Sequence, residues 1–102
     1  EKQYEVSDLK LNLDTMEVAR DGQNLLLSRT LFNILHVLIR ESPKVVTRAA
    51  LEKELWGDEP PDSDTLRSHI YNLRRIIDRP FKVPLLQTRQ GQGYCLREPA
   101  AD

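Results

Sequence analysis

The N-terminal part of the chain alternates apolar and polar residues with the period of β-strands. The alternation is carried by Val6, Leu9, Leu11 and Leu13. Two turn signals follow, Asp14-Thr15 and Asp21-Gly22, and strands are expected over residues 16–19 and 23–27. Aspartate followed by glycine favours a hairpin because glycine adopts positive φ without steric cost. This part of the chain therefore predicts a small antiparallel sheet.

After residue 27 the apolar period changes to about 3.6 residues, which is typical of amphipathic helices. Three helices are expected, from Ser28 to Ser42-Pro43, from Thr47 to Gly57, and from Asp62 or Ser63 to Pro80. Each begins at a side chain that can accept a hydrogen bond from a helical N–H, and each ends at glycine or proline. In the third helix one apolar stripe spans about 60° of a wheel that turns about 100° per residue. The stripe comprises Leu66, Ile70, Leu73 and Ile77.

A last hairpin is expected, with strands over residues 85–88 and 94–97 around a glycine-containing tip. Together with the N-terminal sheet and the three helices, it predicts an α+β fold in which a helix-turn-helix is followed by a wing. At 102 residues the chain is long enough for one modest core, so residues 1–102 are interpreted as a single domain.

Charge is segregated along the chain although the net charge is only −1. Residues 67–97 contain seven cations and one anion, Asp78, whereas residues 1–66 contain eight cations and thirteen anions. Such segregation indicates a polyanionic partner that the overall charge conceals. A solvated basic face without a partner explains the charge equally well, so the geometry of the side chains has to decide.

The third helix carries polar side chains opposite its apolar stripe, with two arginines beside them. These residues are Ser68, Tyr71, Asn72 and Arg75, flanked by Arg67 and Arg74. A helix fits the major groove of B-DNA, where asparagine can pair with adenine and arginine with guanine. Tyr71, Asn72 and Arg75 are therefore candidates for base or groove contacts, while serine and tyrosine hydroxyls can also bond phosphates. An ordinary amphipathic surface helix would show the same arrangement.

The tip of the last hairpin combines Gly91 and Gly93 with Arg89 and two glutamines. Because glycine has no Cβ, such a tip can approach a nucleic-acid backbone closely. Hairpin geometry requires glycine as well, and these glycines do not open a helix as a nucleotide-binding fingerprint would. The candidate phosphate contacts of the whole chain are Arg67, Arg74, Thr88 and Arg89.

Other chemistry-bearing residues do not form a catalytic or metal-binding pattern. His36, His69 and the single cysteine, Cys95, lack metal-ligand spacing, and no nucleophile–base–orienter set is present. We therefore expect no enzyme, no metal and no cofactor, and we expect Trp56 to pack against the core or the next loop. No apolar run approaches the about 20 residues that cross a bilayer, so no membrane partner is expected. A lone cysteine favours a reducing, cytoplasmic compartment.

Five motifs occur in an order and spacing that are known from one family. They are Leu27-Ser28-x-x-x-Phe32-x-Ile34-Leu35, Val46-Thr47-Arg48-x-x-Leu51, Leu55-Trp56-Gly57, Leu66-x-x-His69-Ile70-x-x-Leu73-Arg74 and Thr88-x-x-Gly91-x-Gly93-Tyr94. From about Tyr4 to Leu96 the chain resembles the OmpR/PhoB-type winged-helix effector domain of bacterial two-component response regulators.

The resemblance implies a four-stranded N-terminal sheet, a three-helix core, the third helix in the major groove and the wing near the minor groove. It implies sequence-specific binding of double-stranded promoter DNA, typically at direct repeats occupied by a tandem homodimer. It also implies transcription regulation in a phosphorelay, in which a sensor kinase acts on an N-terminal receiver domain outside this sequence. The start without methionine fits such a fragment. Gly57, Asp58 and Glu59 occupy the family position that can touch RNA polymerase.

The chain departs from the family pattern at three sites. Leu31 stands where glutamate is usual, so the capping box is absent and the N-cap serine must act alone. The charges of Asp64 and Arg67 are exchanged relative to the family, which makes Arg67 the candidate phosphate contact there. Arg89 lies one residue before the usual wing arginine. That shift turns its side chain to the other strand face and disfavours insertion into the minor groove, whereas Thr88 matches in place.

A winged helix that binds a protein partner, without specific DNA binding, is the alternative interpretation. It predicts weak association with nucleic acid that does not change with salt concentration. The two interpretations therefore differ in a quantity that a binding titration measures.

Overall fold

The computed structural model describes residues 2–100, with the side chain of Ser63 excluded. An antiparallel sheet contains β1 (Gln3–Val6), β2 (Leu9–Asn12), β3 (Glu17–Arg20) and β4 (Gln23–Leu25), in that order. The helices are α1 (Arg29–Glu41), α2 (Arg48–Trp56) and α3 (Ser63–Ile77). The C-terminal hairpin pairs β5 (Leu86–Arg89) with β6 (Gly93–Leu96). This order confirms the predicted α+β winged helix-turn-helix with a four-stranded N-terminal sheet.

Turn residues with positive φ set the strand boundaries of the N-terminal sheet. Ser7, with φ 56°, separates β1 from β2, and Met16, with φ 57°, lies in a turn rather than in the strand expected there. Val6 and Leu9 pair across the first turn and share one face of the sheet. The apolar spacing changes from two residues to three between Val6 and Leu9, and this break in the alternation was the available signal for the turn. β4 ends at Leu25, earlier than expected.

Capping hydrogen bonds confirm the predicted starts of α1 and α2. Ser28 Oγ accepts from the N–H of Leu31 at 3.2 Å, and Thr47 Oγ1 accepts from the N–H of Ala50 at 3.1 Å. Gly57 ends α2 with φ 65°, a left-handed conformation that glycine adopts without penalty. The two caps satisfy N–H groups that have no partner within the helices.

α3 begins where expected but ends before Pro80. Asp62 is its N-cap by position, without a capping hydrogen bond from its side chain. At the other end, the N–H groups of Asp78 and Arg79 both donate to the carbonyl of Arg74. This shared acceptor closes the last turn, so the helix ends through its own backbone bonds and the proline follows later.

The core lies between the inner face of the N-terminal sheet, α1, α3 and the C-terminal hairpin. Side chains that are no more than 1% exposed include Leu9, Leu11, Ile34, Leu35, Leu38, Leu51, Leu66, Leu73, Ile77, Leu85 and Leu96. Complete burial of one such side chain contributes about 1.5–3 kcal/mol relative to exposure. Because the apolar stripe of α3 is buried, the opposite face of the helix is directed to solvent.

Arg20 is buried in this interior, with 1% of its surface exposed. Its Nη1 donates to Asp78 Oδ1 at 2.8 Å and to the carbonyl of Ile77 at 2.6 Å. Its Nε donates to Asp8 Oδ1 at 2.9 Å, and its Nη2 donates to the carbonyl of Val83. The guanidinium therefore joins β3 to the end of α3 and to the segment before β5.

Asp78 connects the same interior to the wing. Besides the bond from Arg20, its carboxylate accepts from the N–H of Leu85 at 3.0 Å and from the N–H of Leu86 at 2.9 Å. Both carboxylate oxygens are thus occupied, which offsets part of the cost of burying the charge. The one anion of the basic segment is therefore compensated inside the protein and is not displayed beside the cations.

Candidate nucleic-acid interface

The structure exposes the face of α3 that the sequence predicted. Its apolar stripe is buried, and the side chains opposite are exposed, with Tyr71 at 51%. The predicted contact residues Arg67, Ser68, Tyr71, Asn72 and Arg75 are all on this exposed part of the helix. Because one face of α3 is buried, the hydrogen-bonding side chains lie on the opposite face, and a helix of this kind fits the major groove of B-DNA.

Arg79 extends this surface beyond the end of α3. Its guanidinium carbon lies 4.8 Å from the ring centroid of Tyr71, and its Nη1 lies 3.5 Å from the tyrosine oxygen. That hydrogen bond and the positive charge lower the pKa of Tyr71 below its ordinary value. Arg79 is not among the site residues predicted from the sequence. Its spacing from Arg75, four residues further along the same face, was the available signal.

Asn72 and Arg75 are neighbours on the exposed face. Arg75 Nη1 donates to Asn72 Oδ1 at a distance of 3.5 Å, at the long end of hydrogen-bond geometry. So long a bond between two exposed side chains can be exchanged for contacts with base edges at little cost. The two residues can therefore act side by side in one groove.

Arg74, by contrast, is half-buried and directed toward the wing. Its Nε and Nη2 donate to the carbonyl of Leu86 at 3.3 and 3.1 Å, and Nη2 donates to Thr88 Oγ1 at 3.0 Å. The sequence indicates Arg74 as a candidate phosphate contact. In the structure, its guanidinium links α3 to β5.

The wing places Thr88 and Arg89 on opposite sides of β5. Thr88 pairs with Tyr94, and Arg89 pairs with Gly93, so the strand continues through Arg89 instead of ending at residue 88. Thr88 is exposed and faces Arg74, whereas Arg89 is half-buried. The strand therefore reaches the shifted arginine, and Arg89 lies on the face opposite Thr88 because side chains alternate along a strand.

Gly93 meets the loop before α2 closely. A Cβ at this position would lie 2.1 Å from the carbonyl oxygen of Val46 and 2.8 Å from Cα of Thr47. Val46 and Tyr94 exchange two backbone hydrogen bonds, at 2.7 and 3.0 Å, which hold the two segments together. The absence of a Cβ at Gly93 thus lets the backbone of β6 approach the backbone of the loop before α2 in this same chain. At Gly91, by contrast, an added Cβ would have no atom within 4 Å.

A groove runs between the wing, α3 and the start of α2. It is lined by Arg48, Arg67, Thr88, Arg89, Gln90, Gly91, Gln92, Gly93 and Tyr94. Arg48 lies at the start of α2, and its Nε donates to Glu52 Oε2 at 3.2 Å. It adds α2 to a surface for which the sequence predicts residues of α3 and the wing alone. Its position directly after the N-cap Thr47 was the available signal, since the first turn of a helix is a frequent anion-contact point.

The acidic loop after α2 lies between Arg48 and Arg67 in sequence and is exposed. Asp58 and Glu59 are exposed, and the loop follows the left-handed Gly57. Trp56 is partly buried against the core, with its ring centroid 6.3 Å from that of His69. This confirms the expected packing role of Trp56.

Within residues 2–100 no group of His, Cys, Asp or Glu side chains is placed to hold a metal ion.

Residues 22–96 match the family described as transcriptional regulatory protein, C terminal. The chain belongs to this family. Response regulator MprA of Mycolicibacterium vanbaalenii is 38% identical over 93 residues, which cover 90% of this chain and 40% of that protein. MprA of Mycobacterium leprae is 39% identical over 93 residues and is covered to 41%. The regulatory domain described here thus spans about two-fifths of the length of the curated relatives that it matches.

Solved structures of response regulators have the same fold as this family member. The DNA-binding domain of CpxR from E. coli superposes with a TM-score of 0.81 at 35% identity, covering 98% of this chain and 100% of that domain. DrrB of Thermotoga maritima, an OmpR/PhoB homologue, gives a TM-score of 0.83 at 28% identity, covering 95% of this chain and 45% of that one. The DNA-binding domain of AdeR, solved in complex with an intercistronic region, gives 0.80 at 27% identity over 97% of this chain and 100% of that domain. The OmpR/PhoB-type resemblance is confirmed.

No helix within residues 2–100 is long and apolar enough to cross a membrane.

Proposed function

We propose that this domain binds double-stranded DNA of defined sequence and regulates transcription as the output domain of a response regulator. One observation carries the proposal: from Arg67 onward the exposed face of α3 and the adjoining wing display arginines and amide or hydroxyl groups, and the one acid of residues 67–97 is buried against Arg20. The exposed acid of the first turn, Asp64, lies 3.7 Å from Arg67. A phosphate-lined groove requires a surface of this kind, without carboxylates along it.

In this proposal α3 lies in the major groove. Tyr71, Asn72 and Arg75 contact base edges or the groove walls, with Ser68 beside them, because hydroxyl, amide and guanidinium groups match the donors and acceptors there. The phosphate contacts are assigned to the cations and hydroxyls at the margins of this surface. They are Arg48, Arg67, Thr88 and Arg89, with Arg79 continuing the α3 face.

Two kinds of relative support the proposal. The MprA proteins that match are named response regulators, and the AdeR DNA-binding domain with the same fold was solved in complex with an intercistronic region. The chain spans about two-fifths of the length of the MprA proteins, so any role that needs residues outside this sequence is inferred from those relatives. We extend the proposal accordingly to a receiver domain addressed by a sensor kinase, to tandem homodimers on direct repeats and to a cytoplasmic location.

A salt titration tests DNA binding directly. We expect the logarithm of the affinity for a duplex selected from a random pool to fall with the logarithm of salt concentration, with a slope of several units, since each neutralised phosphate contributes about −0.9. Fluorescence anisotropy on a labelled duplex gives the slope. A slope near zero would favour the protein-binding winged helix instead.

A second prediction separates base reading from phosphate holding on α3. Asn72→Ala should cost about 1–3 kcal/mol of binding free energy on the selected duplex and much less on a scrambled one. The reason is that the amide can both donate to and accept from an adenine edge, whereas phosphates are the same in every sequence. Folding stability should change little, because Asn72 is exposed on a helix where alanine is favourable. Equal losses on both duplexes would remove Asn72 from the reading surface.

The acidic loop leads to a third prediction. We propose that Gly57, Asp58 and Glu59 face RNA polymerase, because the loop is exposed and too acidic to lie on phosphate. Reversal to Asp58→Lys/Glu59→Lys should change promoter output in an in vitro transcription assay while leaving operator affinity largely unaltered.

The matched control for the loop is Glu5→Lys/Glu17→Lys on the N-terminal sheet, since both residues are exposed and the change in net charge is equal. A general charge effect on DNA affinity would appear in both double variants alike. Parallel losses of affinity and transcription in the loop variant alone would instead assign the loop to folding or to DNA contact.

A further inference from the structure

Arg74 is the residue through which α3 holds the middle of the wing. Three hydrogen bonds leave its guanidinium for β5, two to the carbonyl of Leu86 and one to the hydroxyl of Thr88, all within 3.0–3.3 Å. A forked guanidinium can reach two acceptors at fixed geometry, which the single ammonium of lysine cannot reproduce. The side chain is half-buried, so the two bonds to Leu86 are shielded from solvent more than those of a surface arginine, whereas the bond to Thr88 is exposed.

The bond to Thr88 also decides what the threonine hydroxyl can do. Because its oxygen accepts from Arg74 Nη2, one lone pair is occupied and the hydroxyl proton points elsewhere. A positively charged donor on the oxygen also polarises the O–H group and makes it a stronger donor. Thr88 is exposed, so its hydroxyl can donate to an acceptor from solution that carries no proton of its own, such as a phosphate oxygen.

A second attachment lies at the base of the same strand. Asp78 accepts from the N–H groups of Leu85 and Leu86, so the start of β5 is fixed from the end of α3. Beyond Leu86, the next side-chain attachment of β5 to α3 is Arg74, whereas β6 is attached to the loop before α2 through the backbone pair of Val46 and Tyr94. The contacts of Asp78 and Arg74 therefore fix β5 against α3.

We propose that Arg74 is a positioning residue of the DNA-binding surface, which sets the wing against α3 and aims the Thr88 hydroxyl at a backbone phosphate. This role rests on the proposed DNA binding. It differs from a direct contact between the Arg74 guanidinium and phosphate, in which Arg74 would serve as a positive charge and any cation at this position would suffice.

The substitution Arg74→Lys separates the two roles, because it keeps the charge and loses the fork. As a positioning residue, Arg74→Lys should weaken binding to the selected duplex about tenfold or more, the effect of losing a hydrogen bond to a charged group, with an unchanged salt slope. As a direct phosphate contact it should lose less than about threefold. Arg29→Lys, an exposed arginine at the start of α1, is the matched control and should leave affinity unchanged.

A double-mutant cycle with Thr88→Val then tests the route through the hydroxyl. Valine keeps the β-branched shape that suits a strand and removes only the donor. If Arg74 acts through Thr88, Thr88→Val should cost affinity in the wild-type background but less than about twofold in the Arg74→Lys background. Losses that multiply independently, or an Arg74→Lys variant that binds as the wild type does, would overturn the proposal. Thermal denaturation of each variant measures any loss of folding separately.

A measurement on the free protein keeps the inference separate from DNA binding. In Arg74→Lys, residual dipolar couplings of the amides in residues 87–95 should no longer fit the wild-type orientation relative to α3, while those of the N-terminal sheet still fit. If wild-type protein bound no duplex, the proposed function would fail, but these couplings would still decide whether Arg74 orients the wing. An unchanged wing orientation would overturn the positioning role even where DNA binds tightly.

Discussion

Asp78→Ala is expected to lower the free energy of unfolding by about 3–5 kcal/mol, because it leaves a buried arginine charge without its main partner. Arg20 is 1% exposed and Asp78 is 4% exposed, so water cannot replace the lost carboxylate cheaply. The same substitution removes the carboxylate that accepts hydrogen bonds from the N–H groups of Leu85 and Leu86. Urea denaturation followed by circular dichroism measures the loss.

The control for this prediction is Asp14→Ala. Asp14 also forms an ion pair, with Lys2 at 3.7 Å, but its side chain is 61% exposed. Exposed pairs contribute about 0–1 kcal/mol, so the control should scarcely move the denaturation midpoint. Similar midpoints for the two variants would show that the Arg20–Asp78 pair contributes no more than a surface pair.

Gly93→Ala is the second substitution with a large expected effect, a loss of at least about 3 kcal/mol in folding stability. The backbone at Gly93 has φ 148°, which side-chain-bearing residues rarely adopt, and the added Cβ would lie 2.1 Å from the carbonyl oxygen of Val46. Relief requires separating β6 from the loop before α2, which breaks the paired hydrogen bonds between Val46 and Tyr94.

Gly91→Ala is the matched control for the wing. It also places alanine at positive φ, 74°, but nothing lies within 4 Å of the new Cβ. The left-handed conformation alone costs about 1–2 kcal/mol. Thermal denaturation of both variants therefore separates backbone strain from the steric clash. Equal melting temperatures would mean that the contact with Val46 is not the reason for glycine at position 93.

Much of the candidate interface could be predicted because helical periodicity is a local property. Once Leu66, Ile70, Leu73 and Ile77 are assigned to the core, the 3.6-residue repeat places Tyr71, Asn72 and Arg75 on the far side without reference to any other element. The same periodicity places Arg79 one turn beyond Arg75, although the helix itself ends at Ile77, whereas it says nothing of Arg48, which enters the groove from another helix.

Partner choice between distant segments could not be predicted. Arg74 is a candidate phosphate contact because a cation beside a polar helix face suits a polyanion, but no local pattern indicates its hydrogen bonds to Leu86 and Thr88 of β5, twelve and fourteen residues away. In the sequence Asp78 is one anion among the cations of residues 67–97. Its ion-pair partner in the structure is Arg20, which lies 58 residues away. In both cases the residue type indicates that a partner exists and does not identify which one.

The sequence by itself determined the order of the elements, the caps of the first two helices, the buried stripe of α3 and hence its exposed face. Each of these depends on residues within a few positions of one another, where propensity, turn chemistry and apolar period act directly. Only the tertiary structure decided that Arg20 and Asp78 form a buried pair, that Arg74 holds the wing and that Gly93 accommodates Val46. These contacts join segments whose distance is set by packing of the whole core, so no local pattern encodes them.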